Sequence, residues 1–115
     1  MKIRKEPTIG YFFNETIDDW DEHEEKLTDF WETNLFFKSN YKGNPKKAHI
    51  EVDENFNHSI EQKHFGIWLN LWFDTINEYF QGQLADRAKN NARKMASHLF
   101  MKIYQKRQNK SGSLL

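Results

Sequence analysis

Three observations predict an all-α fold. Apolar residues recur at three- and four-residue spacing over two long stretches, helix-ending residues separate the periodic segments, and no run alternates apolar with polar as a half-buried strand would. The chain has 115 residues, 17 Lys plus Arg against 17 Asp plus Glu, and no cysteine, which fits one domain. Aromatic residues make up 16 of the 37 percentage points of apolar composition. A mean hydropathy of -0.94 with 30% charged residues would suit a disordered chain, but ten Phe and four Trp are the opposite of that signature. So ring-rich a domain has either a core of rings or a slot for a large flat ligand, and composition does not choose.

The first segment holds Pro7, Gly10 and Tyr11-Phe12-Phe13-Asn14, too interrupted for a long helix and too apolar for a free tail, so a short turn-rich cap is expected. A helix is predicted over 19–37. Asp18 or Asp19 caps it, the first turn is acidic, and Trp20, Leu27, Phe30, Trp31 and Leu35 follow at helical spacing. The polar segment from Lys38 to Pro45 ends it, and Pro45 opens a short helix over 45–51. Residues 52–59 read as a loop with Ser59 as a cap and Gln62 completing a box.

The next helix is predicted over 60–81, with Phe65, Trp68, Leu69, Trp72, Ile76, Tyr79 and Phe80 in one stripe and Ile67, Leu71 and Phe73 broadening it. Gly82 stops it. Residues 83–107 then carry Leu84, Ala88, Ala92, Met95, Ala96, Leu99 and Ile103 in helical register with Arg and Lys outside. The two long helices form an antiparallel pair, and the helix over 19–37 crosses it to bury Trp20, Leu27 and Phe30. The domain is expected to span 1–107, with 108–115 a polar, frayed tail.

Zero net charge argues against a general nucleic-acid binder, because phosphate contacts need an excess of cations. The lack of Cys removes disulfides, thiolate metal sites and thiol nucleophiles together. No apolar run suggests a spanning helix and no signal-peptide core follows the charged start, so a cytoplasmic protein without membrane contact is expected. There is no Gly-rich phosphate loop and no nucleophile elbow. The basic outer face from Arg87 to Lys110 reads as a solvated helix surface.

Histidines carry the remaining chemistry. His23 follows Trp20 by three residues and precedes Leu27 by four, which puts an imidazole on an apolar, ring-bearing face. His49 lies on the short helix after Pro45, where a helix carbonyl could take one ring N–H and leave the other nitrogen for a metal. A packing histidine bonded to backbone is the ordinary alternative for both. His58 and His64 flank a helix start and are expected to be solvated, and His98 has no special role. Asp19 and His23 are spaced for a divalent metal, but an acidic helix start explains the carboxylates better.

The sequence resembles the group III truncated hemoglobins of bacteria over about residues 3 to 105. Phe13-Asn14 through Trp20-Asp21-Glu22-His23, Lys26-Leu27 and Asp29-Phe30-Trp31 resemble the family's distal helix. Tyr41-Lys42-Gly43-Asn44-Pro45 through Ala48-His49 resembles its proximal segment, and His64 through Trp72 with Met95-Ala96-Ser97-His98-Leu99 completes the match. The resemblance implies a two-over-two globin fold holding heme b, with His49 as the proximal iron ligand, His23 facing the distal side and Trp68 as the distal-pocket tryptophan. Leu27, Phe30 and Trp31 become walls of the porphyrin slot, with Tyr41 beside them. Oxygen or nitric oxide would be bound reversibly, with an electron-donating reductase as partner and nitric oxide dioxygenase or peroxidase-like turnover as the enzymatic extension.

The family carries a further N-terminal stretch that supplies a distal tyrosine. Met1 falls just after its place, and Tyr11 does not occupy it. The expected consequences are weaker heme retention, faster oxidation of the iron and a homodimer through the uncovered surface. The competing reading is a cofactor-free helical interaction module that keeps the globin fold, and a non-heme metal protein comes third.

Overall fold

The computed structural model describes residues 2–37 and 41–112, with side chains up to residue 108. The stop assigned to Lys38, Ser39 and Asn40 lies outside the described residues, as does the end of the expected tail. Six helices run in the order α1 (Lys2–Lys5), α2 (Gly10–Asn14), α3 (Trp20–Phe36), α4 (Pro45–Asn55), α5 (Gln62–Tyr79) and α6 (Gln83–Gly112), with no strand among the described residues. The predicted all-α architecture is therefore observed.

The opening segment is more ordered than a turn-rich cap. Two single-turn helices are joined by a turn in which the Glu6 carboxylate accepts the N–H groups of Thr8 (2.6 Å) and Ile9 (2.7 Å). This turn delivers Ile9 and Phe12 into full burial, so the segment is part of the core.

Local chemistry sets the helix starts. Asp19 caps α3 by accepting the Glu22 N–H at 3.1 Å, and Asn44 caps α4 by accepting that of Lys47 at 3.1 Å, with Pro45 in the first turn. Two expected boundaries move. α4 continues to Asn55, through half of the predicted loop, and α5 starts at Gln62 behind Glu61. Ser59 is not its cap: the Glu61 N–H donates to His64 Nδ1 at 2.8 Å, a reciprocal end that uses histidine where glutamate is usual. Gly82 makes the α5–α6 turn at φ +100, a left-handed value that favours glycine.

α5 and α6 form the expected antiparallel pair. Ile76 meets Ala85 and Ala88 near the turn, while Ile60 and Phe65 meet Ile103 at the far end. On α6 the fully buried positions are Ala85, Ala88, Ala92, Ala96, Leu99 and Ile103, spaced three and four apart, and small side chains there let neighbouring helices approach closely. Leu84, expected in this stripe, is exposed, as are Tyr79 and Phe80 at the end of α5. α6 also runs to Gly112, past the expected end at 107. At 30 residues it is about 45 Å long, which accounts for the 50 Å long axis of the molecule.

α3 and α4 lie against this pair, α4 packing along α6 and α3 touching α6 near its own C-terminal end. α3 buries none of its residues fully. Trp20, Leu27 and Phe30 are only half-buried, and none packs against either cluster of fully buried residues. The expected burial of these three side chains is thus corrected to a partly covered wall.

Candidate functional site

α4 holds the most developed histidine. Its N-cap at Asn44 and Pro45 fix where the helix begins, and one turn later the His49 ring folds back so that Nδ1 lies 2.6 Å from the Pro45 carbonyl oxygen. A carbonyl only accepts, so Nδ1 carries the proton and, in the neutral ring, Nε2 keeps its lone pair. Burial pushes the His49 pKa below its ordinary value, against the pull of the Pro45 carbonyl bond. The result is a neutral, oriented imidazole with one free nitrogen. Its ring lies nearly parallel to that of Phe65 on α5, with centroids 6.3 Å apart and planes at 29°.

The segment before α4 is shaped by Tyr41 and Gly43. The Tyr41 phenol lies against the Gly43 backbone so closely that a Cβ there would collide with its ring and hydroxyl. The Tyr41 N–H donates to Thr33 Oγ1 at 3.0 Å, and its ring meets Phe30 edge-on at 5.2 Å. Tyr41 therefore joins the start of α4 to the ring face of α3. Burial raises its phenol pKa, against the nearby charge of Lys26.

α3 is tethered at both ends. Near its start the Arg4 guanidinium of α1 sits 4.5 Å above the Trp20 ring. Toward its end Trp31 stacks on Trp72 of α5 (4.7 Å, planes at 18°), Asn34 Oδ1 accepts from Asn91 Nδ2 of α6 at 2.7 Å, and Leu35 packs against the Ile76 cluster. Between these tethers lie His23 and Leu27, both half-buried. His23 is edge-on to Trp20 at 5.7 Å, and burial first, then Lys26, lowers its pKa against Glu24. It too is a neutral imidazole near pH 7.

On α5, Trp68 is half-buried against the cluster of Ile9, Phe12, Ile60 and Ile103. One turn on, the Trp72 indole nitrogen is buried without a hydrogen-bond acceptor, although buried indole N–H groups normally find one. It was read from sequence only as part of an apolar stripe.

The ring-bearing site residues thus fall into three groups. Tyr41, Phe30, Trp31 and Trp72 form a continuous chain of ring contacts from the α4 approach across α3 to α5. His49 sits with Phe65, and His23 with Trp20, at separate places along the same helices. Two open concavities of about 420 and 450 Å³ lie elsewhere, one lined by Arg4, Lys5, Asn14 and Trp20, the other by Glu15, Thr16 and residues 55–57. No group of three or more potential metal ligands exists among the described residues.

Two histidines depart from expectation. His58 is not simply solvated but lies with Nδ1 3.2 Å from Asp53 Oδ2, and His64 is half-buried as the α5 capping partner, edge-on to Phe12 at 5.1 Å. Burial, then Lys63, lowers the His64 pKa against Glu61, as suits a ring whose Nδ1 accepts.

The chain is 29% identical over 107 residues to "Group 3 truncated hemoglobin ctb" of Campylobacter jejuni subsp. jejuni, covering 90% of this chain and 80% of that protein. The chain is therefore similar in sequence to a group 3 truncated hemoglobin. The six-helix, strand-free architecture agrees with an all-α truncated globin fold. No protein-family model matches the chain. No solved structure matches it. None of the described helices is long and apolar enough to cross a membrane.

Proposed function

We propose that the chain holds heme b, with His49 as the axial ligand, and binds a diatomic gas, oxygen or nitric oxide, on the opposite side of the cofactor. The observation that carries this reading is the His49 Nδ1–H bond to the Pro45 carbonyl at 2.6 Å. It fixes the tautomer, orients the ring and leaves Nε2 as donor, as metal-ligating histidines require. Lowering of the imidazole pKa by burial keeps that lone pair free at neutral pH.

The residues around it suit a flat apolar group. The half-buried Leu27, Phe30 and Trp31 offer a ring-bearing wall on α3, and the two tethers of that helix leave its middle free to stand off and admit the macrocycle. The unpartnered Trp72 indole N–H supplies a donor for a polar atom in the same region.

Heme, held by His49, would supply a ferrous iron able to bind the gas reversibly. His23, held neutral, would offer a ring N–H to the bound gas, and the Trp68 indole a second. Leu27 and Phe30 would exclude water, which slows oxidation of the iron. Maintaining the ferrous state calls for an electron-donating reductase.

Hemin titration followed by visible absorption tests the reading. A one-to-one Soret shift that His49→Ala abolishes or weakens at least tenfold supports it. An unchanged titration in that variant overturns axial ligation by His49, and no shift in the unaltered chain returns the protein to a cofactor-free helical module.

A further inference from the structure

Among the described residues, one charged side chain is almost wholly shut off from solvent. Asp53, on α4, is 2% exposed and lies one helical turn beyond His49, hence on nearly the same face. Its carboxylate receives Arg107 Nη2 on Oδ1 (2.5 Å) and Nε on Oδ2 (3.0 Å), a two-point clasp from α6. It also accepts the Ile60 N–H at 3.1 Å and lies 3.2 Å from His58 Nδ1. Arg107 Nη2 goes on to donate to the Ile60 carbonyl at 2.7 Å.

These contacts join three things at one point: the C-terminal half of α4, the connection to α5, and α6. The connection turns sharply, with Asn57 and His58 both left-handed (φ 60 and 58), and it is held in that shape by the bonds to Asp53. Beyond it α5 begins, and its first turns carry Phe65, whose ring lies nearly parallel to that of His49 with centroids 6.3 Å apart and in turn meets Phe100 of α6 edge-on at 6.1 Å. The helix bearing His49 and the ring beneath it are therefore registered against each other through the same carboxylate.

We infer that Asp53, clasped by Arg107, is a positioning residue for His49: it fixes the placement of α4 along α6 beside the start of α5, and so the direction in which His49 Nε2 points. Asn44 and Pro45 set the start of α4, but a helix pinned at one end can still swing. The clasp supplies the second point. This inference rests on the proposed role of His49 as an iron ligand, and it assigns a function to the buried ion pair beyond cohesion.

The full chain, without and with hemin, is compared as the unaltered protein, Asp53→Asn, Arg107→Lys and Ile76→Ala. The last loosens the cluster near the α5–α6 turn, far from the clasp, and controls for lost stability. Without hemin, the His49 ring protons are read by NMR for the upfield displacement that the Phe65 face imposes. With hemin, the iron–imidazole stretching band and the rate of hemin loss are read.

In Asp53→Asn the upfield displacement is expected to collapse, the stretching band to shift or broaden, and hemin loss to quicken about tenfold or more. Arg107→Lys, which keeps the charge, retains most of the original behaviour, and Ile76→Ala keeps the ring displacement and the band. The same displacement and band in Asp53→Asn as in Ile76→Ala, or equal changes in both, overturns the inference. Should Asp53→Asn fail to fold, Arg107→Met takes its place under the same criteria. If His49→Ala leaves the hemin spectrum unchanged, axial ligation by His49 has failed, while the hemin-free NMR comparison still decides whether Asp53 positions that ring.

Discussion

Replacing Asp53 with alanine separates the cost of a stranded charge from the worth of the pair. Removing one partner of a buried ion pair costs about 3–5 kcal/mol, because the remaining charge is left without compensation. The Arg107 side chain is 25% exposed and can be partly rehydrated, which places this substitution at the lower end. The Ile60 N–H, on a buried residue, also loses its acceptor, at about 1–3 kcal/mol. A total of about 4 kcal/mol follows, equivalent to a fall of roughly 15 °C in Tm for a domain of this size. In the reverse variant, Arg107→Met, burial that already works to raise the Asp53 pKa is no longer outweighed by the Arg107 hydrogen bonds. The carboxyl pKa then rises from its depressed value, so the variant's deficit is largest at neutral pH and shrinks as pH falls through the carboxylate range. The double variant should cost less than the two singles together by about 0.5–3 kcal/mol. Urea unfolding at pH 7 and pH 5 measures all three. Single losses below about 1 kcal/mol, or strict additivity, would refute the view that the carboxylate and guanidinium act as one buried unit.

Trp72→Phe removes a buried N–H that has no acceptor, a gain of up to about 1–3 kcal/mol, against the loss of part of the stack on Trp31, worth about 0.5–1.5 kcal/mol; urea unfolding of the hemin-free chain should therefore show no loss greater than about 1 kcal/mol. Burial lowers the pKa of His49, His23 and His64 from 6.5, so the folded state resists protonation and stability falls as pH drops below about 6.5. His49→Gln should flatten part of that decline in a pH series of unfolding midpoints, and a second decline should follow below about 3.8, where Asp53 takes up a proton in the unfolded chain while its depressed folded carboxyl still resists one. Gly66 lies within α5, and a Cβ there meets nothing within 4 Å, so Gly66→Ala should stabilise by about 0.5–1 kcal/mol. Gly43→Ala, which must displace the Tyr41 ring, should instead destabilise by about 1–3 kcal/mol, and the thermal midpoints of the two variants should move in opposite directions.

The legible parts of this fold are those specified by local rules. Asp19, Asn44 and Pro45 mark helix starts by their own side-chain chemistry, and the three- and four-residue spacing of alanines on α6 is the buried stripe itself. The tautomer of His49 was foreseeable as well, because a helical side chain four residues after a proline faces that proline's carbonyl. What escaped depends on residues far apart in the chain. Asp53 was read as loop because VDENFNHS is polar, yet the Arg107 clasp across 54 positions holds the end of α4 in place. A signal was present: Arg107 continues the Leu99–Ile103 spacing, so a guanidinium stands on the buried face of α6 and calls for an anion. The end of α5 misled in the other direction, since Tyr79 and Phe80 keep helical spacing past the point where a neighbour remains to cover them.

The distribution of rings resolves what composition left open. Of four Trp, four Tyr and ten Phe, only Phe12 is fully buried, whereas the other fully buried apolar side chains are alanine, isoleucine and leucine. The closely packed interior is therefore aliphatic and small, built chiefly along α6, and the aromatic surplus lies at partly covered surfaces between elements. Apolar area left in water forgoes about 25 cal/mol per Å², so such an arrangement is costly for a domain of 115 residues, whose core is limited by its size. Rings placed this way on α3, in a helix held at its two ends and not buried along its length, recover that area when a broad apolar surface is laid against them. The same stretch carries His23, and the segment that follows leads through Tyr41 to His49. Half-buried rings and a neutral, oriented imidazole are thus the two features on which the proposed heme binding rests.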